Sequence, residues 1–209
     1  MPTRVKICGV TRLEDAQQAV ELGAAALGFN FYAPSPRYID PGAARAIVRR
    51  LPPFVTPVGV FANETDKARV ISIAREAGAT AVQLHGPRFP DLDELLSAFT
   101  LVVAVAVQES FKAEALGKFQ PSAYLLDAFD PERPGGTGKT FDWNAAREAK
   151  RYGPIILAGG LTPENVGRAV RVARPFAVDV ASGVESAPGI KDPARLRAFF
   201  AAVAEADRD

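Results

Sequence analysis

The chain has 209 residues, 25 Lys and Arg against 24 Asp and Glu, and 48% hydrophobic content, enough for a sizeable core and without a global field to draw it to nucleic acid or an anionic membrane. Its single cysteine excludes an intrachain disulfide and a zinc–thiolate cluster, and its single histidine argues against a histidine-built metal site. The N-terminus, MPTRVKICG, lacks the apolar core of a secretory signal, and no apolar run approaches the roughly eighteen residues needed to span a bilayer, which points to the cytosol.

The first ordered stretch is RVKIC (4–8), whose alternation predicts a strand with Lys6 and Cys8 on one face and Val5 and Ile7 on the other. An ammonium beside a thiol is expected to bring the cysteine pKa down from about 8.5 toward neutrality, making a thiolate available as base or nucleophile. Thr11 with Glu14 spells a capping box, and Gly23 ends the helix it opens. ALGFNF (26–31) is the second strand, followed by a loop carrying Arg37 and by Asp40-Pro41, an N-cap oxygen with proline at the first helical position. TPVGVF (56–61) leads to the helix TDKARVISIAREAG, stopped at Gly78, and AVQLH (81–85) to the short helical stretch PDLDELLSAF. TLVVAVAV (100–107) precedes ESFKAEALGKF, whose apolar stripe is weak, and AYLLDAF (123–129) precedes a glycine-rich loop and a helix from Asp142 to a stop at Gly153. PIILAG (154–159) and FAVDVAS (176–182) complete the strands, with helices opening at Thr162-Pro163 and Asp192-Pro193.

Strands in regular alternation with helices require crossovers and therefore a parallel sheet, and eight such units close. The expectation is an α/β chain forming a single (β/α)8 TIM barrel over 1–209, one catalytic domain at about 26 residues per unit. In such a barrel a polar side chain on an apolar strand points inward or lies at the rim. Parity then groups Lys6 with Cys8, Gln83 with His85, Asp127 with Leu125, and Asp179 with Ala177 and Ala181, mostly toward C-terminal strand ends, where this fold builds its active sites. Lys6 has two candidate partners, Asp127 and Asp179; pairing with Asp127 would hold that carboxyl ionised. His85 also suits a rim residue satisfied by a carbonyl, and Arg37 a surface loop.

AGGLTPENV and ASGVESAPGIKD follow the seventh and eighth strands, where the fold often binds phosphate on backbone N–H groups and a short extra helix, here expected over 183–187. Gly159, Gly160, Ser182 and Gly183 are the candidates. PERPGGTGKTFDW (131–143) mimics a nucleotide-binding loop but has Arg133 where the pattern needs glycine. It reads better as a lid over the barrel mouth, hinged at Gly135, Gly136 and Gly138.

KICGVT, GFNFYAPSPRYI, GVFAN, VQLHG, LLDAF, GGTGKTFDW, LAGGLTPENV and DVASGVESAPGIKD, in this order, resemble the phosphoribosylanthranilate isomerases end to end. The resemblance implies an aldose–ketose isomerase of tryptophan biosynthesis that needs no cofactor or metal. Its small-molecule substrate is phosphorylated, its partners include neither nucleic acid nor membrane, and it is a monomer or homodimer. It assigns the general base to Cys8 and the general acid to Asp127. Arg37 matches the arginine that holds the substrate carboxylate, Gln83 and Asp179 fit contacts to substrate amine and hydroxyls, and Gly159, Gly160, Ser182 and Gly183 map to the phosphate loops. Ala128, Phe129 and Ala181 depart from the family pattern.

Overall fold

The apolar runs pair edge to edge into a closed ring of eight parallel strands. The computed structural model describes residues 2–108, 110–118, 120–128 and 141–208. Around the ring lie β1 (Arg4–Cys8), β2 (Ala26–Asn30), β3 (Thr56–Ala62), β4 (Ala81–His85), β5 (Thr100–Val107), β6 (Ala123–Ala128), β7 (Ile155–Leu157) and β8 (Ala177–Val180), with β8 returning to β1. The helices are α1 (Leu13–Glu21), α2 (Pro41–Val48), α3 (Lys67–Ala77), α4 (Leu92–Ala98), α5 (Trp143–Ala149), α6 (Val166–Ala173) and α7 (Pro193–Ala206). Between β5 and β6, where the apolar stripe is weak, a 3-10 turn over Ala113–Lys118 stands in place of an α-helix. Among the described residues no helix is long and apolar enough to cross a membrane.

The aspartate caps form as their chemistry dictates: Asp40, Asp142 and Asp192 accept from first-turn N–H groups of α2, α5 and α7, and Gly78 ends α3 in the left-handed region. Two threonine caps do not form. The Thr11 hydroxyl donates instead to the Gly189 carbonyl at 2.6 Å, and α1 starts from Arg12 with no side-chain cap. At Thr162 the main-chain N–H donates to Asn165 Oδ1 at 2.8 Å, and Asn165 Nδ2 donates to the Gly160 carbonyl at 2.9 Å, so the segment is a braced turn and α6 begins only at Val166. The helix expected over 183–187 is also corrected. Ser182–Val184 form one 3-10 turn, after which β9 (Glu185–Ala187) and β10 (Ile190–Lys191) make an antiparallel hairpin, because Pro188-Gly189 supplies a tight turn.

Alternation splits the apolar residues into two layers. Ile7, Leu27, Phe29, Leu84, Val103, Leu126, Leu157 and Val178 face the helices in one continuous cluster. Val102, Ala104, Ala123, Leu125, Ile156, Ala158 and Ala177 fill one side of the interior, while Val58, Val60 and Ala81 pack beside Cys8 on another. Room for the side chains of β1 comes from Gly28, its register partner. A Cβ there would lie 2.9 Å from Cys8 Sγ and 3.2 Å from both Cys8 Cα and Lys6 Nζ. Gly28→Ala is therefore expected to destabilise the fold by about 1–3 kcal/mol through overpacking. Urea denaturation measures this, and an unchanged midpoint with unchanged slope contradicts it.

Candidate active site

Parallel register places Lys6 of β1 directly beside Asp179 of β8, both facing inward. Lys6 Nζ donates to Asp179 Oδ1 at 2.7 Å, with side chains only 5% and 10% exposed. Of the two carboxylates open to Lys6 from sequence, Asp179 takes it. Burial works against the Lys6 charge, but Asp179, then Cys8, outweigh it and raise the lysine pKa above its ordinary value.

Burial, modulated by this pair, sets the protonation of its neighbours. Burial, joined by the negative charge of Asp179, pushes the Asp127 carboxyl up to about 6, against a hydrogen bond from the Ala128 N–H and the more distant pull of Lys6. Cys8 moves the opposite way from the sequence expectation. Burial raises its pKa, Asp179 adds to the rise, and the attraction of Lys6 and Lys191 does not reverse it, because Lys6 shares its charge with Asp179. Burial and then Lys6 push His85 down to about 4, so the imidazole is neutral near pH 7. Its Nε2 lies 2.5 Å from Gln83 Nε2, so the two side chains share a hydrogen bond whose direction the imidazole tautomer sets. Gln83 is 1% exposed and its Oε1 has no partner among the described residues, leaving an acceptor in the barrel interior.

Arg37, in the loop after β2, lies across Gly9 and is not a loose surface side chain. Its Nε donates to Glu185 Oε1 and Oε2 at 3.0 and 3.1 Å, and its Nη2 to Oε2 at 2.8 Å. Glu185 in turn accepts from Lys191 Nζ at 2.8 Å. Neither Glu185 nor Lys191 stands out from sequence position alone. The available signal was an acid and a base on either side of Pro188-Gly189, where a hairpin turn brings them across from one another.

The loops after β7 and β8 meet by main-chain approach. Gly159 and Gly160 adopt φ of 81° and 62°, and a Cβ on Gly183 would fall 1.9 Å from the Leu161 carbonyl oxygen. Ser182 and Gly183 sit in the 3-10 turn that follows β8, so all four phosphate candidates lie at the C-terminal end of the barrel, as do Cys8, His85 and Asp127 on their strands. The lid expected over 131–143, with its hinges at Gly135, Gly136 and Gly138, falls for the most part outside the described residues.

The arrangement is a polar floor of Lys6 and Asp179, a half-buried thiol, a carboxyl that holds its proton to unusually high pH, and two glycine-built loops at one rim. It suits proton transfer on a small anionic molecule.

A sequence model of the family described as N-(5'-phosphoribosyl)anthranilate (PRA) isomerase matches residues 5–202. An N-(5'-phosphoribosyl)anthranilate isomerase from Citrifermentans bemidjiense is 50% identical over 199 residues, covering 95% of this chain and 96% of the relative. The crystal structure of phosphoribosyl anthranilate isomerase from Thermotoga maritima, 43% identical, superposes with a TM-score of 0.90 over 97% of this chain and 99% of its own. A phosphoribosyl anthranilate isomerase solved in complex with reduced 1-(o-carboxyphenylamino)-1-deoxyribulose 5-phosphate is 41% identical, with a TM-score of 0.86 and the same coverage.

The raised Asp127 carboxyl has a consequence for stability. With a folded pKa near 6 against an ordinary value of about 3.9, the protonated form is favoured in the folded state, so stability present below about pH 4 is lost as pH rises through about 6. Asp127→Asn, which keeps the shape without the charge, is expected to gain about 2 kcal/mol over the parent at pH 8 and almost nothing at pH 4. Urea denaturation of both proteins at the two pH values checks it, and an equal gain at both contradicts it.

Proposed function

Because the chain belongs to the N-(5'-phosphoribosyl)anthranilate isomerase family, enzymes of tryptophan biosynthesis, we propose that Asp127 and Cys8 carry its reaction as general acid and general base. The reaction is the Amadori rearrangement of N-(5-phosphoribosyl)anthranilate to 1-(2-carboxyphenylamino)-1-deoxyribulose 5-phosphate. The observation that carries the assignment is the place of Asp127 at the C-terminal end of β6, where burial and the charge of Asp179 push its carboxyl up to about 6. A carboxyl that keeps its proton so far above the ordinary range is suited to donating it near neutral pH.

In this reading Asp127 protonates the furanose ring oxygen and the ring opens to a protonated Schiff base. The Cys8 thiolate then removes the C2 proton, and the resulting enolamine becomes the aminoketose. The reactive protein holds a proton on Asp127 and none on Cys8, although burial raises the thiol pKa. That arrangement is a minority form, and its fraction grows with pH up to the Asp127 pKa, stays level up to the Cys8 pKa, and falls above it, where Asp127 goes on losing its proton with no further gain of thiolate. Lys6 steadies the thiolate when it forms. An anionic substrate pushes Asp127 further toward its protonated state.

Arg37 is the partner for the anthranilate carboxylate, a task fitted to a planar guanidinium. Gln83, whose Oε1 is an unused interior acceptor, and Asp179 contact the amine and hydroxyls, and the main-chain N–H groups of Gly159, Gly160, Ser182 and Gly183 bind the phosphate. The neutral His85 orients Gln83. We read 1–209 as one catalytic domain acting in the cytosol.

The test is the loss of anthranilate fluorescence on mixing freshly made substrate with wild type, Cys8→Ala and Asp127→Ala. Each variant is expected to be slower in kcat by about 10²–10⁴-fold, with KM little changed. Full activity surviving Cys8→Ala removes the thiol from the mechanism.

A further inference from the structure

Arg37 and Glu185 meet across 148 residues of sequence, and among the described residues the way they meet leaves one side of the guanidinium unused. Glu185 occupies the edge formed by Nε and Nη2. A guanidinium has a second edge, formed by Nη1 and Nη2, that can take another carboxylate in the same bidentate manner. Occupying the first edge fixes the plane and the direction of the second.

Pairing an arginine with a buried glutamate has a drawback for anion binding, since the pair is neutral. Here a third charge answers it. Lys191 is fully buried at its side chain and donates to Glu185 Oε1 at 2.8 Å; burial lowers its pKa and Glu185 opposes that, and with Lys191 as the ammonium the three side chains together carry one net positive charge. Lys191 Nζ also donates to the Cys8 carbonyl at 2.5 Å and the Ala181 carbonyl at 3.4 Å, which uses its three protons and ties the hairpin to the end of β1. The Lys191 main-chain N–H donates to the buried Asp15 at 3.0 Å, and the Glu185 carbonyl accepts from Arg195 at 2.9 Å, so the hairpin that carries both residues is anchored on two helices. Glu185 accepts in addition from the Gly189 N–H at 3.3 Å. Its carboxylate is thus saturated by the protein and available to no ligand.

We infer that Glu185 is a positioning residue that aims the free edge of Arg37 at a substrate carboxylate, and that Lys191 supplies the compensating charge that keeps this arm attractive to an anion. The inference rests on the reading of Arg37 as the carboxylate partner. It deepens that reading by naming what makes a flexible loop arginine selective: a substrate bearing an ortho carboxylate is preferred because the fork is already oriented, at no ordering cost on binding.

The experiment compares two ligands by calorimetric titration: reduced 1-(o-carboxyphenylamino)-1-deoxyribulose 5-phosphate and the same compound lacking the carboxylate. Wild type, Glu185→Gln, Arg37→Ala and the double variant are titrated, with thermal melting to establish that each is folded. Glu185→Gln is expected to weaken the carboxylated ligand by about tenfold or more while leaving the other within about twofold, and to add nothing in the Arg37→Ala background. A merely structural role would weaken both ligands alike, and that outcome overturns the inference while leaving Arg37 its role if Arg37→Ala abolishes the preference for the carboxylated ligand. If Arg37→Ala keeps the wild-type preference for the carboxylated ligand, the carboxylate reading of Arg37 falls and the inference with it. Should Glu185→Gln not fold, Arg37→Lys carries the test. An ammonium paired to Glu185 has no second edge, so discrimination must drop toward that of Arg37→Ala, and full retention overturns the inference.

Discussion

The buried pair of Lys6 and Asp179 is the interaction on which the polar interior depends. Neither charge could stand alone at that depth: an unpaired buried ion costs several kcal/mol, and removing one partner of such a pair typically costs about 3–5 kcal/mol. Their cross-strand register on β1 and β8, the seam where the barrel closes, makes the pair possible. The same pair then sets the field for the groups around it. Asp179 raises both Asp127 and Cys8, Lys6 lowers His85, and each of these effects acts on a side chain whose own burial already pushes the same way.

The electrostatic design is consequently one of opposed demands. The proposed mechanism needs both a protonated carboxyl and a deprotonated thiol, and the interior favours the first and resists the second. Cations lie near Cys8 from two sides, Lys6 in the barrel floor and Lys191 from the hairpin, yet both are engaged by carboxylates. In the proposed mechanism the thiolate is therefore a minority state and not the resting one. This differs from a cysteine activated outright by an adjacent unpaired lysine, and it leaves the resting thiol little inclined to side reactions.

Much of this was legible in the sequence, for definite reasons. Strand positions follow from apolar runs bounded by turn residues, and the inward set of Lys6, Cys8, Gln83, His85, Asp127 and Asp179 follows from parity alone, since a polar residue amid apolar neighbours has one acceptable side. What was not legible depends on partners remote in the chain. Thr11 has the spacing of a cap, but Gly189 draws its hydroxyl away. The sign of the Cys8 shift turns on which carboxylate Lys6 meets and on burial, neither of which local sequence encodes. Glu185 and Lys191 acquire meaning only when the hairpin brings them to each other and to Arg37.

Burial and the negative charge of Asp179 hold Asp127 protonated well above the usual carboxylate range, against the pull of Lys6. A 13C NMR titration of the Asp127 carboxyl, assigned by its absence in Asp127→Asn, tests it most directly. The account predicts a midpoint near 6 in the parent protein and a lower one in Asp179→Asn, where Lys6 acts on Asp127 without its counter-charge. A midpoint near the ordinary value of about 4 in the parent, or one unmoved by Asp179→Asn, would contradict it.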